Sequence, residues 1–373
     1  MRFLERERAC LERHLPGVDK VLRDVPLLDL EAPGNDALAA YRSAGGPALL
    51  VPAAYGGLGA SLVDAVRVQR AVGSRSPSLA VATCMHHFSV ASLVELTTTG
   101  NGFEWAMLSA IAEHSWYLSS GFAEGTPGQH ILTPTMRATV VPDGLRVSGV
   151  KKPCSLTWSM DLLSASVAVT DPDGGPDRSA VVLVPANSEG LQRRRFWQSW
   201  VLAGAESDEV ELCDVHVPEA LVFYPSPGAE MDPVQARGFA AFELLITASY
   251  VGAASGLVER VLLAGKGDAG DRALLVSELE STAAALEQVA ADMDTGEADE
   301  LLASSLHVRY AAERAVERVV MAAAALGGGM AFVGSSEVAY LVAAGRALAF
   351  HPPSRAAASE PLLRHLAGAA LVL

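Results

Sequence analysis

Apolar positions recur at helical spacing over residues 36–44, 62–73, 76–95 and 104–118, which predicts a run of packed helices in the first third of the chain. Near Leu118 the period changes. TMRATVV and LRVSGV alternate apolar and polar residues on either side of Pro142-Asp143-Gly144, the pattern of a β-hairpin around a tight turn. LLSASVAV, SAVVLVP and DEVELCDVHVP keep the two-residue period and are separated by turn-rich DPDGGPD and ANSEG. This stretch is read as a small antiparallel barrel or sandwich, followed by a linker through Pro225 and Pro227 to Pro233. From Gly238 the helical period returns over 238–264, 272–293, 299–325 and 336–348, and short connections predict an antiparallel bundle. The predicted order is an N-terminal helical domain (1–118), a central antiparallel β-barrel (119–231) and a C-terminal four-helix bundle (232–373).

Between the first two predicted helices lies VPAAYGGLGAS, residues 51–61. Gly56, Gly57 and Gly59 allow a compact loop, because glycine accepts positive φ without steric cost. Ser61 is placed to cap the helix that follows. A phosphate-binding loop needs a strand before it and a lysine after it, and neither is present. On these residues alone the segment is a helix–helix connector.

The chain has 373 residues, 50% of them hydrophobic and 19% charged, a globular composition with room for two or three domains. No uninterrupted apolar run reaches about 18–20 residues, so no membrane span is expected. The charged start MRFLERERACLERHLP lacks the apolar stretch of a secretory signal. Cys10, Cys84, Cys154 and Cys213 lack CxxC spacing. They suggest reduced thiols in a cytoplasmic protein, with neither disulfides nor a zinc site. The net charge of −15 argues against a nucleic-acid surface. The one basic cluster, Arg193-Arg194-Arg195, is read as a solvated strand or loop, with a phosphate contact as the alternative.

Five segments occur in order: VPAAYGGLG, SSGFAEGTPG, GVKKPCS, DVHVPEALV and LGGGMAF. As a set they resemble the acyl-CoA dehydrogenase family over nearly the whole chain, with the same domain order. The resemblance implies FAD between barrel and bundle in a homodimer or homotetramer. It implies an acyl-CoA or acyl-carrier-protein thioester as substrate and an electron-transfer flavoprotein as a further partner. In the family's chemistry a carboxylate removes the α-proton of the thioester while the β-hydrogen leaves as hydride to flavin N5.

Carried over residue by residue, the match is uneven. The family's Thr-Glu-Pro-x-x-Gly-Ser-Asp segment along the flavin reads Ala123-Glu124-Gly125-Thr126-Pro127-Gly128-Gln129-His130. Phe122 and Ala123 keep the implied backbone contacts, and Gln129 stands where the family has serine. The Trp-Ile-Thr that covers one flavin face reads Pro153-Cys154-Ser155; Ser155 retains a hydroxyl for flavin N5 or O4, and the aromatic cover is missing. The Arg-x-x-Phe-Gly turn that reaches a neighbouring cofactor is replaced by GKGDAGDR, with Lys266 or Arg272 as substitutes. Gly327, Gly328 and Gly329 match the Gly-Gly turn near the adenosine.

The catalytic base is the largest departure. Where most members carry glutamate, this chain has Phe350-His351-Pro352-Pro353-Ser354. His351 is either a base, since its ordinary pKa suits proton transfer near neutrality, or a capping residue. Some members carry the glutamate on the first bundle helix, and Glu243 falls within about one residue of that position. Gly238–Ala254 holds no other charge, so Glu243 is either desolvated, with a raised pKa suited to a general base, or near a helix start facing solvent. The leading function is FAD-dependent dehydrogenation of an acyl thioester in a specialised biosynthetic pathway. The alternatives are a flavin monooxygenase or oxidase on the same fold, and a non-catalytic acyl-binding relative.

Overall fold

The helical period of the first third resolves into α1 (Glu5–His14), α2 (Val18–Arg23), α3 (Leu27–Leu30), α4 (Ala37–Ser43), α5 (Leu62–Arg75), α6 (Pro77–Leu96) and α7 (Glu104–His114). The structure is a computed structural model that describes residues 2–97, 103–126, 133–171, 175–225 and 231–373. The alternating region forms β1 (Leu118–Gly121), β2 (Arg137–Val141), β3 (Gly144–Cys154), β4 (Leu162–Thr170), β5 (Arg178–Pro185), β6 (Leu191–Arg194), β7 (Asp208–Pro218) and β8 (Val222–Phe223). The last third forms α8 (Pro233–Leu263), α9 (Ala269–Asp292), α10 (Ala298–Gly327), α11 (Gly329–Gly334), α12 (Ser336–Arg346) and α13 (Arg355–Leu366). Side-chain caps set several of these starts. Ser61 accepts the Asp64 N–H at 3.1 Å and opens α5, Asp232 accepts from Val234 at 2.8 Å and opens α8, and Asp268 with Asp271 forms a capping box on α9.

The strands make one sheet in the order β6-β7-β3-β2-β4-β5-β8, with β1 also on β4. The expected hairpin is β2–β3, with Val141 opposite Gly144. The expectation of a closed antiparallel barrel needs correcting. β1 and β2 both run parallel to β4, and the order ends at β6 on one side and β8 on the other without returning on itself. The cause is the connection through residues 155–161, which carries the chain from β3 past its hairpin partner. β4 therefore lands beyond β2, in the same direction.

Helix α8 is apolar around its whole circumference, and such a helix must be buried on all sides. It packs against α5, α6, α9, α10 and α12. Over their best 18-residue windows α6 and α8 are apolar enough to cross a membrane, yet those windows are 67% and 100% buried inside the protein. Their apolarity serves the core. Three glycines bring α5 and α8 unusually close. A Cβ on Gly73 would meet the Ser249 carbonyl oxygen at 2.3 Å, one on Gly252 the Arg70 oxygen at 2.5 Å, and one on Gly256 the Ser74 oxygen at 2.6 Å. Two buried charges of this core are paired. Arg70 reaches Glu7 at 2.9 Å and Glu280 at 2.6 Å. Glu31 accepts from Ser76, Ser78 and Tyr340.

A methyl group at the α5–α8 crossing meets backbone, which cannot rotate aside. Gly73→Ala is therefore expected to destabilise the protein by about 1–3 kcal/mol, read as a lower urea midpoint. Gly329→Ala, with nothing within 4 Å of the added carbon, should leave the midpoint within roughly 0.5 kcal/mol of wild type.

Candidate active site

A cavity of about 700 Å³ lies between α6, α8, one face of the sheet and the segment 347–352. Its helical wall follows from the register of α8. Phe239 and Phe242 face the cavity and stack with centroids 5.8 Å apart. Glu243 comes one residue, or about 100° of rotation, later. It lies outside the lining residues and is fully buried.

Within its own helix Glu243 has no cationic partner, but the fold supplies one. Arg309 on α10, itself fully buried, donates to both Glu243 carboxylate oxygens at 3.0 and 2.8 Å. Burial pushes the Glu243 carboxyl up to about 7 while the Arg309 guanidinium pulls it back; with both oxygens on arginine, the geometry favours the carboxylate. Of the two expectations for this residue, desolvation with a raised pKa describes it and exposure to solvent does not; the ion-pair partner comes from another helix. The same guanidinium also donates to the carbonyls of Leu348, His351 and Pro352.

His351 does line the cavity. Its Nε2 pairs with the Tyr250 hydroxyl at 2.8 Å, and its ring meets Phe242 at 6.2 Å. Burial, and secondarily the nearby Arg309 charge, pushes its pKa down to about 3, so the ring is neutral near pH 7. Tyr250, another lining residue, is held protonated by burial.

On the sheet side, Phe122, Ala123 and Ser155 all reach the cavity wall. Ser155 Oγ and Ser207 Oγ lie 2.9 Å apart, and the Ser119 hydroxyl donates to the Ser155 carbonyl at 2.6 Å. A buried Lys151–Glu124 pair at 2.6 Å stands behind the Ala123 turn. Trp197 supplies an indole to the same wall, an aromatic face that Pro153-Cys154-Ser155 does not provide. Gln129 lies outside the described residues. Gly327 and Gly328 form the α10–α11 junction and do not line the cavity, and no residue of the 51–61 loop does either. Cys10, His14 and Asp64 converge between α1 and α5, where Arg13 and Arg67 already engage the Asp64 carboxylate.

The charges of the wall are one-sided. Glu104, Glu219 and Asp232 line the cavity, and among the described residues no lysine or arginine does. Glu104 is 3% and Asp232 6% exposed, so both carboxylates are held in a largely desolvated wall. Glu104, Trp197, Asp232 and Tyr250 carry no site signal in the motifs. Asp232 alone has a local mark, since it precedes a proline that opens a helix.

No family model matches the chain. It is 44% identical over 377 residues to isobutylamine N-hydroxylase of Streptomyces viridifaciens, covering 100% of both chains. The chain belongs to the acyl-CoA dehydrogenase family. Within the acyl-CoA dehydrogenase family it is a divergent member, and its broad class is that of a flavin-dependent oxidoreductase. FMN-bound TdsC from Paenibacillus sp. A11-2 has the same fold, with a TM-score of 0.79 at 20% identity over 98% of this chain and 96% of that one. So has the prolyl acyl carrier protein oxidase AnaB, with a TM-score of 0.80 at 16% identity over 97% and 98% of the two chains.

Neutral histidines in the core and at the cavity wall make the fold acid-sensitive. Burial pushes the pKa of His86 down to about 4, that of His351 to about 3 and that of His87 well below its ordinary value. Unfolded, each titrates near 6.5. A depressed folded pKa gives stability that is present above the unfolded pKa and lost as pH falls through the folded one. The urea midpoint should therefore fall steadily from pH 6.5 to 4, with His86 alone contributing about 3 kcal/mol of the loss.

Proposed function

We propose that the protein is a flavin-dependent N-hydroxylase of a small aliphatic primary amine. The observation that carries this reading is the cavity wall, which offers Glu104, Glu219, Asp232 and a neutral His351 but no described cation. Such a wall attracts an alkylammonium ion. The full-length similarity to an N-hydroxylase supports the same choice.

The sheet wall suits the ring system of a flavin. Phe122 and Trp197 offer aromatic faces, and Ser155 with Ser207 offers hydroxyls to heteroatoms. Neither FAD, implied by the family resemblance, nor FMN, bound in TdsC, finds a described cation for its phosphates in this wall. A reduced flavin held against this wall would supply the two electrons with which O2 gives one oxygen atom to nitrogen and the other to water. The chain's own groups prepare the amine. Glu104, Glu219 and Asp232 make the wall negative and draw the ammonium toward it. The nitrogen must shed a proton to become nucleophilic, and a carboxylate beside it is the acceptor. His351 adds no positive charge to oppose binding, and Tyr250 holds its Nε2.

Dehydrogenation of an acyl thioester with Glu243 as base remains the second reading, favoured by the fold shared with AnaB. One preparation separates the two. The purified chain is given reduced flavin, oxygen and a series of short primary alkylamines, and products are read by mass spectrometry with labelled O2. The expected product is a hydroxylamine carrying one labelled oxygen. Flavin bleaching by acyl-carrier or CoA thioesters without oxygen, and no hydroxylamine from any amine, would select the dehydrogenase instead. Extraction and chromatography identify the flavin, and light scattering tests the homodimer or homotetramer. Glu104→Gln should raise KM for the amine about ten- to a hundredfold, the equivalent of one charge-assisted contact.

A further inference from the structure

The fully buried ion pair behind the cavity has more partners than charge balance requires. Arg309 satisfies Glu243 and at the same time donates to the backbone carbonyls of Leu348, His351 and Pro352. Its neighbour Tyr310 donates to the Pro353 carbonyl at 3.0 Å. Two consecutive residues of α10 thus tie down a segment that has no regular strand or α-helix of its own. That segment presents His351 to the cavity, and Tyr250, seven residues after Glu243 on α8, closes the pair from the other side.

We infer that Arg309, oriented by Glu243, is a positioning residue that holds residues 348–353 and, through them, the His351–Tyr250 pair as a fixed part of the substrate wall. Stability gives a weak reason for such a pair. An apolar pair of similar volume commonly serves a core as well or better. An apolar pair cannot bond three carbonyls, whereas arginine's fork of five donors can. In this arrangement Glu243 does no proton chemistry; it fixes the guanidinium that fixes the wall.

Resting on the N-hydroxylase reading, this role predicts a loss of coupling. When the wall is loose, the amine is misplaced and water enters. O2 then takes two electrons from reduced flavin and two protons and leaves as hydrogen peroxide, with the amine unchanged.

The test uses Arg309→Lys, Glu243→Gln and Tyr310→Phe in the full chain. The first readout is backbone hydrogen exchange at residues 348–351 and at Ser354, which flank the two prolines, in flavin-free protein, which needs no activity. The second is hydroxylamine formed per O2 consumed, with KM for the amine measured alongside. Arg309→Lys is expected to speed exchange in this segment while the rest of the core stays protected. It should cut coupling about tenfold, with peroxide making up the difference and KM within about twofold of wild type. Glu243→Gln and Tyr310→Phe should show the same signature in smaller degree, and they decide the matter if Arg309→Lys does not fold. Unchanged exchange together with unchanged coupling in folded variants overturns the inference, as does exchange that rises equally throughout the core. If wild type hydroxylates no amine but exchange at 348–351 and Ser354 responds as stated, the positioning role stands and the N-hydroxylase reading falls.

Discussion

Everything else in this protein is arranged around the need to bury α8. Within this helix of 31 residues every position from 238 to 259 is buried, and the hydrophobic effect makes that enclosure the main driving force of the fold. α5 meets it through glycines, because only bare backbone permits so close a crossing. α6, α9, α10 and α12 cover the remaining directions. Toward the sheet, Phe239 and Phe242 face a cavity instead of a neighbour. The site is thus a gap left in the packing of the central helix.

The charges follow from that geometry. A group placed on α8 is either on the cavity side or in the core, and Glu243 is in the core, where an unpaired carboxylate is costly. Arg309 meets that requirement and directs further donors to the turn that carries His351. The cavity is left with carboxylates at its wall and a histidine kept neutral by burial. Anionic wall, neutral ring and paired interior form one electrostatic design, with the positive charge confined behind the aromatic layer.

The long elements are legible in the sequence because their periods are strong. The hairpin at Pro142-Asp143-Gly144, the cap at Ser61 and the helices covering 62–75, 77–96 and 298–327 follow from local rules. Short elements such as β1, β6 and β8 carry too few residues to show a period. The sheet's mixed direction is set by where a crossover lands, and that has no local signature. The site is half visible for the same reason. Glu243 stands out as a lone charge on an apolar helix, but its partner lies 66 residues away, and nothing nearby marks Arg309. Phe122, Ala123 and Ser155 belong to an ordered set of motifs and do reach the wall. Gly327 and Gly328 match a motif as well and sit elsewhere.

A cavity walled by carboxylates treats the two ends of the proposed reaction differently. An alkylamine is a strong base and carries a full positive charge near neutrality. Oxygen on nitrogen withdraws electron density, so an N-alkylhydroxylamine is a far weaker base and is neutral at the same pH. In that reaction the attraction of a wall lined by Glu104 and Asp232 for the ammonium would vanish as the bond to oxygen forms. The wall would then discharge its product by the chemistry itself, clearing the site for the next molecule and shortening the time in which a second oxidation can occur.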